Sequence, residues 1–201
     1  MDKLSYALGI SLGQNMVGSG VKEINFNDFL EGLKTVFNNE NPAFDTEELN
    51  QVIKDYFQRI QEEAKAEEKK MRASNLLEAE AFLEKNSKEE GIQVTGSGLQ
   101  YRVVKSGEGK QPGPHSRVEC HYEGKLADGT VFDSSYKRGK PATFGLDQVI
   151  PGWTEGVQMM KEGAVYEFYC PPALGYGEVG IPGHIPGNSV LIFKVELLRV
   201  L

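Results

Sequence analysis

The residue types that most often perform covalent or metal chemistry are few in this sequence and do not cluster. The three histidines, His115, His121 and His184, are scattered, and no serine, aspartate or cysteine accompanies them in a catalytic constellation. The two cysteines, Cys120 and Cys170, do not form a metal-ligand pair of the CxxC type. The sequence therefore predicts neither a nucleophilic site nor a metal site, and it implies no organic cofactor.

Composition excludes several further classes of function. The glycines at 107, 109 and 175–187 are not followed by GK[ST] and open no long helix, so they predict turns rather than a phosphate-binding loop. A formal net charge of −7 argues against a nucleic-acid partner. No apolar run approaches the ~20 residues that a membrane span needs. We therefore expect neither nucleic acid nor a membrane span among the partners of this chain.

The start of the chain bears on the compartment. Residues 1–16 are interrupted by Ser5, Ser11, Gln14 and Asn15, so they lack the apolar segment of a secretory signal. Only two cysteines are present, which favours a reducing compartment and excludes a disulfide scaffold. We expect the cytoplasm, or the periplasm if a leader preceding residue 1 has been removed.

The two halves of the chain differ in composition. All of the formal net charge lies in residues 1–90, whereas 18 of the 23 glycines and eight of the nine prolines follow. The first half is typical of helices and the second of strands and turns. We predict two domains, residues 1–90 and residues 91–201, with the boundary at Glu90/Gly91.

Apolar residues at helical spacing define three stripes in residues 4–12, 29–37 and 49–60. Asn25 and Asp45 are candidate caps of the second and third helices. Residues 61–75 contain no Gly or Pro, which predicts one helix over about 46–86, roughly 60 Å long at ~1.5 Å per residue. Its charged middle is interpreted as a solvated stalk; the alternative is a charged face on a larger bundle. Since residues 1–60 are marginal alone, we predict a homodimer through them.

Four segments of the second half alternate between apolar and polar residues, namely 99–105, 116–125, 164–170 and 189–200. This period of two predicts an antiparallel sheet covered on one face. The candidate cover is a short helix over 153–160, after the Pro151–Gly152 turn. The fold class is therefore α+β. On this alternation Cys120 and Cys170 point inward, which predicts inert, buried thiols.

The second half resembles the FKBP-type peptidyl-prolyl isomerase domain over residues 92–201. The resemblance is carried by HYEGKLADGTVFDSS (121–135), VIPGWTEGV (149–157), LGYGEVGIPGHIPGNS (174–189) and LIFKVELL (191–198). SYALGISLGQNM (5–16) and GLQYRVVKSGEG (98–109) resemble the Mip-like, two-domain bacterial branch of that family. In that branch N-terminal helices dimerise and a long helix carries the isomerase domain, which agrees with the stalk predicted above.

The resemblance implies a set of site residues. Trp153 would form the floor of a pocket, and the Ile150 backbone N–H and the Tyr176 hydroxyl would donate to ligand carbonyls. Asp133 would be a polar group at its edge. Ala142 stands where many members carry an aromatic, so we expect a more open mouth on that side and a less certain affinity for macrolide inhibitors. The implied catalytic residues are Tyr122, Phe132, Asp133, Ile150 and Tyr176, and the implied substrate-binding residues are Phe144, Val149, Trp153, Ile185 and Phe193.

The activity implied by the resemblance is cis–trans isomerisation of peptidyl-prolyl bonds in partially folded proteins, without covalent chemistry. The alternative is a chaperone or binding module that holds exposed apolar segments without catalysis. A purely structural dimer would leave the implied pocket residues unexplained. Taken singly, Trp153 and the other aromatic residues are more often core than site. Asp133 could cap a turn, and Tyr176 could serve only turn packing.

Overall fold

The computed structural model describes residues 1–201 and has the expected α+β architecture. Helix α1 spans Lys3–Gly18, α2 spans Phe26–Phe37 and α3 spans Thr46–Asn86. The predicted caps are present, since the Asn25 side chain accepts a hydrogen bond of 3.0 Å from the Asn27 N–H, and Asp45 accepts one of 2.7 Å from Glu47. The absence of Gly and Pro after residue 45 lets α3 continue for 41 residues.

An antiparallel sheet of seven strands follows α3. The strands are β1 (Ile92–Val94), β2 (Gln100–Lys105), β3 (Arg117–Leu126), β4 (Val131–Ser134), β5 (Ala142–Gly145), β6 (Val165–Cys170) and β7 (Leu191–Val200). Their order is β1-β2-β6-β7-β3-β4, and β5 pairs with the first half of β3, beside β4. Helix α4 spans Pro151–Gln158.

The four strands that alternate in sequence correspond to β2, β3, β6 and β7. Strands β1, β4 and β5 were not predicted, because three or four residues are too few to show a period of two. Helix α4 begins at Pro151 rather than at Trp153, since proline fits the first turn, where its missing N–H has no intrahelical partner.

The core lies between α4 and one face of the sheet. Trp153 and Val157 on α4 pack with fully buried side chains of the strands, including Phe168 and Leu197. Close approach is possible because α4 presents Gly156 to the sheet, where a Cβ atom would lie 2.6 Å from the Phe168 ring. Cys120 and Cys170 are free and fully buried, as the alternation predicted.

The prediction of a single covering helix implied that the other face of the sheet is open. This face is in fact partly covered. Ala79 near the end of α3 is buried with Tyr169, Val190 and Ile192, and Phe82 and Leu83 pack against this second cluster. Polar contacts fix the same segment: the Gln100 side chain donates to the Leu83 carbonyl at 2.9 Å, and Asn188 donates to the Arg72 carbonyl at 2.9 Å.

The chain divides into two compact units, Met1–Glu68 and Lys69–Leu201. The division falls within α3 because the last part of this helix packs on the sheet, whereas the change in composition lies at Glu90/Gly91. The domain boundary at that position stays a prediction. Residues 61–71 of α3 are all exposed, as expected for a solvated segment.

The first unit leaves much of its apolar surface uncovered. No side chain of α1 or α2 is buried, and the two ends of the amphipathic stripes, Leu4 and Phe37, are 69% and 84% exposed. A groove of about 530 Å³ runs between the helices of this unit and is lined by Met16, Phe29 and Ile53, among others. No helix of the structure has both the length and the apolar character needed to cross a membrane.

Candidate active site

A cavity of about 400 Å³ opens at one end of α4, between that helix and strands β3, β4, β5 and β7. Nine of the ten predicted site residues line it, and Gln148 is the only lining residue that was not predicted. The lining residues are Tyr122, Phe132, Asp133, Phe144, Gln148, Val149, Ile150, Trp153, Tyr176 and Phe193. The structure therefore gathers at one place residues from positions 122 to 193 of the chain.

Trp153 forms the floor of the cavity and is 4% exposed. The rings of Tyr122, Phe144 and Phe193 meet the indole edge to face, with centroid distances of 5.3, 5.2 and 5.5 Å. Phe132 extends the wall by packing against Phe193 at 5.6 Å. Edge-to-face packing holds each ring in place against its neighbours, so packing alone positions the apolar walls of the cavity.

A polar cluster closes one side of the cavity. The Tyr122 hydroxyl donates to one carboxylate oxygen of Asp133, and the Arg138 guanidinium donates to the other. Arg138 also donates to the Tyr122 hydroxyl at 2.8 Å. Strand β4 places Asp133 opposite Gly124 of β3, two residues from Tyr122, which brings the two side chains into contact.

This cluster sets the charge state of the site. Burial alone would raise the pKa of Asp133, but hydrogen bonds from Tyr122 and Arg138 and the Arg138 charge outweigh burial and hold that pKa below its ordinary 3.8. Burial is the largest cause that raises the pKa of Tyr122, and the hydrogen bond to Asp133 raises it further. At neutral pH the carboxylate is therefore ionised and the phenol is protonated, so both act in fixed hydrogen-bonding roles.

Two donors in the cavity have no acceptor within the chain. The Ile150 backbone N–H, at the N-cap of α4, makes no hydrogen bond, and the Tyr176 hydroxyl makes none either. Burial and the nearby Asp133 charge raise the pKa of Tyr176, so its hydroxyl keeps its proton at neutral pH. Both groups are thus available to carbonyl oxygens of a bound polypeptide.

A third polar group is the indole N–H of Trp153, which is buried without a hydrogen-bond partner. An unmade hydrogen bond of this kind costs about 1–3 kcal/mol relative to a satisfied one. The unpaired indole N–H is therefore unfavourable for folding, and packing of the cavity floor does not require it.

The structure places Ile185 and Ala142 differently from the other predicted positions. Ile185 is 4% exposed in the core and does not line the cavity; its backbone pairs with Ile181 in an isolated bridge. Ala142 on β5 pairs with Cys120 on β3 and packs against the core. The assignment of Ile185 to substrate binding stays a prediction.

Sequence reasoning missed Arg138 and Gln148. Arg138 follows Asp133 by five residues in a turn, and only its ion pair with a site carboxylate reveals its part in the cluster. Gln148 directly precedes Val149 and Ile150, so its position beside two predicted lining residues was an available signal. No group of three or more His, Cys, Asp or Glu side chains is arranged to hold a metal ion.

The site thus defines a class of proteins in which a cavity walled by aromatic rings presents amide and hydroxyl donors at its edge, an arrangement that suits a polypeptide. The comparisons with known proteins refine this class. Residues 108–198 match the model of the FKBP-type peptidyl-prolyl cis-trans isomerase, and residues 1–103 match that of the domain amino-terminal to it.

Individual relatives match over both halves. The chain is 41% identical to a probable FKBP-type peptidyl-prolyl cis-trans isomerase FkpA of Neisseria meningitidis, covering 100% of this chain and 74% of that one. It is 39% identical to the outer membrane protein MIP of Legionella longbeachae, covering 99% and 85%. The crystal structure of FkpA from Escherichia coli matches with a TM-score of 0.81 and 38% identity over 98% of this chain and 95% of that one.

The chain belongs to the family of FKBP-type peptidyl-prolyl cis-trans isomerases. It is an enzyme of that type, and its two-part organisation is similar to that of FkpA and Mip proteins. The resemblance stated from sequence motifs is thereby confirmed for family, fold and activity.

Proposed function

We propose that the cavity over Trp153 isomerises X–Pro bonds in partially folded polypeptides, and that two copies of the chain act together as a homodimer through residues 1–60. The observation that carries the first part is the combination of aromatic walls with the unpartnered Ile150 N–H and Tyr176 hydroxyl. These groups match a proline ring flanked by two peptide carbonyls.

The physical basis of catalysis is the loss of amide resonance during rotation. An X–Pro bond isomerises over roughly tens to hundreds of seconds, because its C–N bond has partial double-bond character. In the twisted state the amide is less polar than in the planar state. A water-poor aromatic cavity therefore favours the twisted amide over the planar one, and this difference lowers the barrier.

The donors orient the substrate rather than react with it. The Ile150 N–H and the Tyr176 hydroxyl can each donate a hydrogen bond to a carbonyl oxygen of the polypeptide, which fixes the proline ring over Trp153. Asp133 is ionised and already bonded to Tyr122 and Arg138, so its carboxylate is held in a fixed position at the edge of the cavity. Positioning and polarity, without proton transfer, suffice for this reaction.

A refolding assay limited by proline isomerisation tests this function. We expect acceleration at substoichiometric amounts of enzyme, and a large loss of acceleration in Phe132→Ala and Asp133→Ala, with circular dichroism unchanged. An unchanged rate in both variants would mean that a different site is catalytic. Suppression of aggregation without any acceleration would instead support the alternative, a chaperone that holds apolar segments.

The homodimer is supported by the uncovered apolar surface of the first unit. Leu8, Val36 and Phe37 are 61%, 77% and 84% exposed, which is unusual for a monomer in water. A dimer would bury this surface and hold two cavities on one particle, which raises the effective concentration of substrate. Sedimentation of the full chain should give a dimer and deletion of residues 1–60 a monomer; a dimeric deletion variant would disprove the assignment.

Macrolide inhibitors are proposed ligands of the same cavity, since their carbonyls can accept from the Ile150 N–H and the Tyr176 hydroxyl. Trp153 is the single tryptophan of the chain, so its emission reports occupancy of the cavity directly. A macrolide titration that quenches or shifts this emission and abolishes acceleration would support the proposal. Acceleration that persists at saturating macrolide would contradict it.

A further inference from the structure

A second, polar groove adjoins the cavity over Trp153. It has a volume of about 400 Å³ and shares Phe144, Gln148 and Val149 with that cavity as a common wall. Beyond this wall the lining changes from aromatic to charged and polar side chains, namely His115, Arg117, Thr143 and Asp147. A polypeptide with its proline in the cavity would therefore have charged groups within reach of its flanking residues.

Arg117 is the cation in this groove that no carboxylate neutralises. Arg59, Arg102, Arg138 and Arg199 each form a salt bridge with a carboxylate of the chain, whereas Arg117 forms none. The nearest acidic residue on the same face of β3 is Glu119, and Arg199 of the adjacent strand β7 engages it with a hydrogen bond of 2.9 Å and an ion pair of 2.8 Å.

The other acidic residue of the groove does not neutralise Arg117 either. Asp147 forms no salt bridge with Arg117; the ring nitrogen of His115 lies 4.0 Å from its carboxylate. Arg117 begins β3 and pairs with Gly145 of β5. Because β5 pairs only with β3, no strand of the chain occupies its outer edge, and unpaired strand edges are where extended chains add.

The geometry points to this groove as a subsite for the polypeptide segment on one side of the proline, in which Arg117 binds an acidic side chain of the substrate. The inference rests on the proposed isomerase function and adds a substrate preference to it. Asp147 opposes the preference by repelling an acidic residue, so the two residues together set its strength.

A peptide series tests the subsite in the full-length protein. Otherwise identical proline peptides carry Glu, Gln or Lys at positions two to four residues before or after the proline, and catalysed exchange is measured by NMR. We expect about a two- to five-fold higher kcat/KM for Glu than for Lys on one side only, the range of an exposed ion pair. The preference should shrink at high salt, where such pairs are screened.

Variants identify the residue responsible. Arg117→Gln should abolish the preference for Glu, and Arg117→Glu should reverse it in favour of Lys. Asp147→Asn should strengthen it. Lys105→Gln makes the same charge change on β2 and should leave the preference as it is in the parent protein.

The outcomes separate the two proposals. If no peptide is accelerated, the proposed function fails, and the subsite fails with it. If Glu, Gln and Lys peptides are accelerated equally, or the preference survives in Arg117→Gln, or Lys105→Gln removes it as well, the isomerase function stands and the subsite is disproved.

Discussion

The Arg138 guanidinium donates a hydrogen bond of 2.8 Å to the Tyr122 hydroxyl, and both groups donate to the same carboxylate, that of Asp133. Tyr122 also meets the Trp153 indole edge to face. One side chain thus belongs to the aromatic wall and to the charged cluster. A change in the charge of Asp133 is therefore expected to affect the position of an apolar wall.

We predict that the stability of the isomerase unit depends on pH through Asp133. Its folded-state pKa lies below the ordinary 3.8, so its contribution to stability is fully present above that pH and is lost as pH falls through the folded pKa. The melting temperature of the parent protein should therefore exceed that of Asp133→Asn by more at pH 7 than at pH 3. Melting of both proteins is followed by circular dichroism, and melting of the parent protein is also followed by Trp153 emission.

Asp128→Asn provides the control for this experiment. The pKa of Asp128 is also lowered, by hydrogen bonds from Thr130, but this carboxylate is exposed in a turn away from the cavity. Its variant should show a smaller pH-dependent loss of melting temperature than Asp133→Asn, because this carboxylate is fully exposed and has no charged partner. An equal difference between parent and Asp133→Asn at both pH values would show that the cluster contributes no charge-dependent stability.

A second prediction concerns the floor of the cavity. Trp153→Ala removes a buried ring that packs on three others and should lower the free energy of unfolding by about 3–5 kcal/mol. Trp153→Phe should cost clearly less, because it keeps an aromatic ring and removes the indole N–H that has no partner. Urea unfolding followed by circular dichroism measures both values; equal costs would contradict this account.

Much of this fold could be predicted from the sequence because the signals were local. The bounds of α3 follow from a cap at Asp45 and the absence of helix breakers, and β2, β3, β6 and β7 are long enough to alternate visibly. Strands β4 and β5 could not be found in this way, since pairing with β3 stabilises them rather than their own composition.

The residues of the site also include some that could be predicted from the sequence and some that could not. Eight of its lining residues lie in motifs that resemble a known family, and the same resemblance implied Phe144 outside those motifs, so these nine could be placed without a structure. Arg138 could not, because its role depends on two partners that lie elsewhere in the chain, Tyr122 and Asp133. Ile185 is the opposite case. The resemblance implied a role in substrate binding, whereas in the structure its side chain is buried in the core and does not line the cavity.

The two cysteines give a third prediction. Burial raises the pKa of Cys120 and of Cys170 to about 12, and both side chains are inaccessible to solvent. Neither thiol should react with a disulfide reagent at pH 8 in the native protein, because reaction requires an accessible thiolate. Both should react within the same assay in guanidinium chloride. Rapid native labelling of either cysteine would contradict the packing described for β3 and β6.

The last prediction concerns Gly124, which lies on β3 directly beneath two walls of the cavity. A Cβ atom at this position would lie 2.7 Å from the Phe132 ring and 2.8 Å from the Phe193 ring. Gly124→Ala should therefore displace both rings and lower kcat/KM for a proline peptide by about ten-fold or more, since misplacement by an ångström can cost far more than that.

Gly96→Ala is the matched control, because a Cβ atom there meets no atom within 4 Å and its backbone is not left-handed. This variant should keep the parent activity. Both variants should retain the circular dichroism of the parent, since the added methyl group is small and displaces rings at the cavity wall rather than the hydrogen-bonded backbone of the strands. Parent-like activity in Gly124→Ala would show that Phe132 and Phe193 do not need their present positions for catalysis, and the aromatic walls would then be structural only.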